Sequence, residues 1–168
     1  MLKKSFLVLL IAIISVCANG QEGWFPQKIR DRVTVTFPYQ AQKINEQNFG
    51  VKAEDGTIYL VSFVDLLKAT EMSLAAFNQD VVTQKFADEF LAGLAPTMAK
   101  YTFKPAKIIK VKDNNAYQIV GRDEVNKSTI SMNIVFVDGY AYSITHIMTD
   151  GKEIRFKDIF LNNISVTK

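Results

Sequence analysis

The chain has 168 residues, of which 48% are hydrophobic, 11% aromatic and 22% charged, a globular composition that makes disorder, collagen and coiled coil poor readings. Its length suits one domain, or one domain with an appendage. Lys and Arg number 20 against 17 Asp and Glu, and a formal charge of +3 supplies no strong electrostatic reason for nucleic-acid binding. One Cys and one His are too few for a Cys/His zinc site, and a lone Cys excludes a disulfide within the chain.

Lys3 and Lys4 precede an apolar run over residues 6–14, after which small and polar residues follow. This is the layout of a secretory signal peptide. The run is too short to span a bilayer, which takes a helix of about 20 apolar residues. Ala18-Asn19-Gly20 before Gln21 fits small-x-small cleavage, and Val16-Cys17-Ala18 before Asn19 fits nearly as well. The expected organisation is a signal peptide over residues 1–20 and a single domain over residues 21–168. Ile14-Ser15-Val16-Cys17 also resembles the bacterial lipobox, whose Cys is acylated. Val16 departs from it, since that motif takes Gly, Ala or Ser there, so plain cleavage is favoured over lipidation at Cys17. Either way the protein is expected outside the cytoplasm, in the periplasm or envelope of a bacterium. Membrane attachment is expected only through an acylated Cys17. In a eukaryote, Asn126-Lys127-Ser128 and Asn163-Ile164-Ser165 would be glycosylation acceptors.

Trp24-Phe25-Pro26 follows the cleavage site and reads as a plug for an apolar gap, or else as a partner-binding arm. Residues 33–37 alternate up to Pro38 and read as the first strand. Residues 39–47 are polar and read as a loop. Extended runs over 48–54 and 57–65 flank Asp55-Gly56, a hairpin signal of type I′. The main helix is expected over residues 73–95, with Ser73 as N-cap and Pro96 as terminator. Phe77, Val81, Val82, Phe86, Phe90, Leu91 and Leu94 form its apolar stripe, read as packing on a sheet. Residues 101–112 read as an edge strand guarded by lysines. Strands follow over 116–120, 129–137 and 140–148, and a short amphipathic helix over 153–162 turns Ile154, Phe156, Ile159, Phe160 and Ile164 inward. The order β-β-β-α-β-β-β-β-α makes an α+β domain with a mainly antiparallel sheet of six to seven strands.

Asp138-Gly139 closes a long hairpin, and a two-residue loop fixes its register from Val137 opposite Tyr140 outward. One face then carries Ile130, Met132, Ile134 and Phe136 with Ala141, Ser143, Thr145 and Ile147, a core face. The other carries Ser131, Asn133, Val135 and Val137 with Tyr140, Tyr142, Ile144 and His146. It is half apolar and half polar, so it is either covered by the last helix or by residues 39–47, or it lines a groove. Ser131, Asn133, Tyr142 and His146 are the candidate ligand-binding residues. His146 opposite Ser131 admits a hydrolase, but no G-x-S-x-G occurs and Ser131 sits in mid-strand without an evident oxyanion donor. The favoured role for His146 is a half-buried partner of Ser131 that stabilises the strand pair.

Carboxylate neighbours Asp88-Glu89, Asp123-Glu124 and Glu153 with Asp158 read as solvated surface. Asp113-Asn114-Asn115 lacks the rest of a calcium loop and reads as a hairpin turn. There is no glycine-rich phosphate loop. No catalytic residues, metal ligands or cofactors are assigned.

The plan resembles the Mog1/PsbP-like group, including exported PsbP-like and DcrB-like bacterial proteins. The resemblance rests on Val33-Thr34-Val35-Thr36-Phe37-Pro38, the helix ending at Pro96, the Val135–Gly139–Ser143 hairpin, and Phe156-Lys157-Asp158-Ile159-Phe160-Leu161 before Ile164-Ser165-Val166. It spans roughly residues 30–166. It implies an antiparallel sheet with helices on both sides and a role in assembly or binding, and no functional residue of the group maps onto this chain. The expected function is a non-catalytic exported domain that binds a protein partner or a small apolar ligand. The alternatives are a hydrolase using His146 with Ser131 and an envelope lipoprotein anchored at Cys17.

Overall fold

A computed structural model of the chain describes residues 23–167. The expected signal peptide, both expected cleavage positions and Cys17 lie outside the described residues. The chain runs through β1 (Phe25–Arg30), β2 (Val33–Phe37), β3 (Gln42–Lys43), β4 (Asn48–Lys52) and β5 (Ile58–Asp65). Three helices follow, α1 (Leu66–Thr70), α2 (Leu74–Asp80) and α3 (Gln84–Leu94), with a 3-10 turn at Ala95–Met98. Then come β6 (Thr102–Phe103), β7 (Lys107–Val111), β8 (Asn114–Asp123), β9 (Ser128–Val137), β10 (Tyr140–Thr149), α4 (Lys157–Leu161) and β11 (Ile164–Val166). Eight strands form one antiparallel sheet in the order β3-β4-β5-β10-β9-β8-β6, with β7 also on β8, and β1-β2-β11 form a second.

The α+β class and the antiparallel pairing are as expected. The strand count is not: eleven strands stand among the described residues instead of six to seven, divided between two sheets. Residues 25–30 pair with β2, so Phe25 and Pro26 of the expected Trp24-Phe25-Pro26 plug begin a strand, and residues 164–166 pair with the other edge of β2. Trp24 is 40% exposed and meets the ring of Phe156 edge-on at 5.6 Å.

The expected long helix is two helices. Thr83 breaks it, because its hydroxyl accepts from Phe86 N at 3.2 Å as an N-cap and donates to Asp80 O at 2.7 Å. The β-branched run Val81-Val82-Thr83 is a weak helix former in any case. Val82, placed in the stripe by spacing, is 49% exposed at this break, while Phe77, Val81, Phe86, Phe90 and Leu94 are buried. The last helix is likewise shorter than residues 153–162, and Ile154 and Ile159 face solvent at 56% and 55% exposure.

Asp138 and Gly139 have φ of 50° and 79°, the two left-handed residues of a type I′ turn, and the hairpin register is the expected one throughout. A Cβ on Gly139 would stand 2.4 Å from Leu67 Cγ, so α1 packs directly on this turn. Asp55-Gly56 builds a wider loop, with Lys52 opposite Ile58. Only Gly56 has positive φ there, because the Asp55 carboxylate accepts from Thr57 N at 2.8 Å and shapes an Asx turn.

The large sheet is buried on both faces. Met132, Ile134 and Phe136 of β9 pack with Phe77, Phe86, Phe90 and Leu94 of the helices. Tyr117 on β8 joins them, its ring 4.7 Å from Phe136 and its hydroxyl donating to Val81 O at 2.6 Å. Val135, Val137, Tyr142 and Ile144 pack on the opposite side with Val33, Val35 and Phe37 of the small sheet and Phe160 and Leu161 of α4. The result is three layers with a core between each pair.

Candidate functional site

Strand alternation puts Ser131, Asn133, Tyr142 and His146 on one face of the β9–β10 hairpin, as the register requires. That face is covered by the small sheet and α4, and Tyr39 and Ala41 of the 39–47 segment pack against the same core, the Tyr39 ring 5.8 Å from Tyr59. Exposures are 7% for Ser131, 2% for Asn133, 3% for Tyr142 and 2% for His146. Asn133 is a strut: its amide donates to Leu161 O at 3.1 Å and to Asn162 Oδ1 at 3.3 Å, fastening the end of α4 to the sheet. Its own Oδ1 is buried with no hydrogen-bond partner among the described residues. His146 is fully buried where half-burial was expected. Its ring lies edge-on to Tyr59 at 5.3 Å, and Tyr59 in turn meets Phe160 at 5.2 Å. Burial among these rings, with Lys157 adding to it, holds the imidazole pKa down to about 4 against the pull of Asp55 and Asp158. His146 is therefore a neutral member of an aromatic cluster at physiological pH.

Tyr142 differs from the other three. It reaches the end of the face where the Asp31-Arg32 turn joining β1 to β2 approaches the Asp138-Gly139 turn. There a cleft of about 180 Å3 opens, floored by Val33 and Val137 and walled by Tyr140 and Tyr142. Arg30, Asp31, Arg32 and Asp138 form its rim. A β-bulge sets the direction of Arg30, since the β1–β2 register shifts between Lys28 and Arg30. Its guanidinium lies over the Tyr140 ring, 3.8 Å from the centroid. The Tyr140 hydroxyl donates to Asp65 at 2.9 Å, and the Asp65 carboxylate also caps α1 through Lys68 N at 3.0 Å. Arg32 is held by Asp138 at 3.1 Å and by Thr167 O at 2.7 Å. Burial raises the Tyr142 phenol above its ordinary pKa, so it stays a neutral hydrogen-bonding group.

One of the carboxylates read as solvated surface is buried instead. Asp123 is only 1% exposed and closes the β8–β9 turn by accepting from Val125 N, Asn126 N and the Asn126 amide, which holds its carboxyl below the usual range. Asp150 accepts two 2.6 Å bonds from Arg122 at the surface. No group of three or more His, Cys, Asp and Glu side chains placed to hold a metal ion occurs among the described residues. No helix there is long and apolar enough to cross a membrane.

Arg30, Arg32 and Tyr140 are the cleft residues that sequence spacing did not select. Tyr140 was already on the right sheet face. The arginines carried only the signal of a charged Arg30-Asp31-Arg32 turn, and nothing local says which hairpin end that turn will meet.

Fold and geometry together define a mainly antiparallel α+β domain with a sealed sheet face and a polar–aromatic cleft at its edge. No family model matches the chain. No curated protein matches it. Among solved structures, the chain is similar to a Bacteroides thetaiotaomicron protein at 9% identity and a TM-score of 0.49. That likeness covers 86% of this chain and 49% of the other, so this chain spans about half the length of that structure.

Proposed function

We propose that the protein is a non-catalytic exported domain that binds a small ligand or a partner's terminal group. The observation that carries this reading is the cleft at the Tyr142 end of the hairpin. It combines an apolar floor, aromatic walls and a few converging polar groups, the general make-up of a binding pocket. The burial of Ser131 and His146 counts against a hydrolase built on them, since a nucleophile and base need access to substrate. The resemblance to Mog1/PsbP-like proteins, whose members mostly serve assembly or binding, points the same way.

Fragment screening by two-dimensional NMR tests the reading. A mixed set of neutral, cationic and anionic aromatic fragments is expected to shift amides of residues 30–33 and 137–142 together. Shifts scattered over the surface, or none, would remove the binding role of the cleft.

Export belongs to the same proposal and rests on residues 3–20. Intact mass of the protein recovered from a bacterial envelope fraction is expected to give an N-terminus at Gln21 or Asn19. An acylated Cys17 would replace this with the lipoprotein reading, and an uncleaved chain would overturn export by a cleaved signal.

A further inference from the structure

The charges around the cleft do not all cancel one another. Arg32 is engaged by Asp138 and by Thr167 O. Asp65 is engaged by Tyr140 and by the first turn of α1. Arg30 is different: its guanidinium rests on the Tyr140 ring, and among the described residues it feels the Asp31 carboxylate only at a distance, without a salt bridge. Tyr140 and Tyr142 are neutral partners of this guanidinium, so its charge is uncompensated by them, and its fork matches a carboxylate with two parallel hydrogen bonds. Beside it the floor is apolar, supplied by Val33 and Val137. The cleft volume of about 180 Å3 is close to the ~150 Å3 that accommodates a benzene-sized guest in protein cavities. Asp31 and Asp138 stand on the same rim, so a second negative charge on the ligand would be repelled.

We propose that this cleft takes a small monocarboxylate with an apolar body, its carboxylate on Arg30 and its body over Val33, Val137 and Tyr142. The inference rests on the binding role proposed above and names the ligand class for it. Such a carboxylate has two sources, a free small acid or the C-terminus of a peptide that ends in an apolar residue.

The test uses the domain over residues 21–168, followed by two-dimensional NMR. Benzoate is the probe, with benzyl alcohol and benzylamine as neutral and cationic counterparts of the same size. Benzoate is expected to shift residues 30–33 and 137–142, to bind at least about tenfold more tightly than benzyl alcohol, and to weaken as salt is raised. Arg30→Gln should reduce benzoate binding about tenfold, and Arg30→Lys should restore only part of it, because the charge returns without the fork. Unchanged spectra elsewhere in both variants verify that the fold is intact. A short peptide ending in Phe, compared with its C-terminal amide, separates the two sources. Stronger binding of the free-acid peptide than of benzoate assigns a peptide terminus, and the reverse assigns a free acid. If benzyl alcohol or benzylamine binds in the cleft as well as benzoate, or Arg30→Gln changes nothing, the carboxylate proposal falls while the binding cleft stands. If no probe shifts the cleft residues, both fall.

Discussion

Replacing Phe160 with alanine is expected to destabilise the domain by about 3–5 kcal/mol, the usual range for removing a fully buried aromatic ring. Phe160 is 0% exposed and its ring lies 5.1 Å from Phe37 and 5.2 Å from Tyr59, so it joins α4 to both sheets. A helix of five residues has no stability of its own, and packing is what keeps α4 in place. Loss of the ring leaves a cavity beside Tyr59 and lets water approach His146. Urea unfolding at pH 7 measures the loss, and Ile159→Ala, on the exposed side of the same helix, should cost under about 0.5 kcal/mol. A Phe160→Ala variant as stable as Ile159→Ala would mean that α4 does not seal this face. In the same variant the His146 ring should titrate closer to its ordinary value, visible in its ring-proton shifts.

Folding stability is expected to fall as pH drops from about 6.5 toward 4, by up to about 3 kcal/mol from His146 alone. The direction follows from linkage: burial holds the folded-state pKa at about 4, against 6.5 for the free side chain. Between those values the unfolded chain takes up a proton that the folded chain refuses, so acid favours unfolding. Above about 6.5 both states are neutral and the contribution is constant. Asp123 and Asp150 work in a lower window, because hydrogen bonds from Asn126 and Arg122 hold their carboxyls below the usual value of 3.8. Their stabilisation is lost only as those carboxyls protonate. Urea midpoints of the wild type and of His146→Gln at pH 7, 6, 5 and 4.5 separate the windows. The wild type should lose stability across this series and the variant should lose much less. Parallel curves would mean that His146 is reached by solvent.

The two candidate sites differ in how legible they are in one dimension. Ser131, Asn133, Tyr142 and His146 could be placed on one face because a two-residue turn and strict alternation settle a hairpin's geometry locally. What covers that face could not, because β1, β11 and α4 come from the two ends of the described chain. Val82 and Ile159 show the same divide: helical spacing puts them on apolar stripes, and a Thr83 cap and a one-turn helix put them in water. Arg30 could not be selected at all, since its direction depends on a bulge and its neighbour Tyr140 lies more than a hundred positions away along the chain.

Short-range rules thus determined the α+β class, the antiparallel pairing, the Asp138-Gly139 turn and the register of the hairpin, because each depends on a few neighbouring residues. The tertiary structure alone decided that the half-polar face would be sealed, that His146 would be a neutral core residue and that the Arg30 guanidinium would stand at the edge of an open cleft. Those outcomes depend on which distant elements pack together, and hydrophobic burial specifies how much surface is covered without naming the segment that covers it.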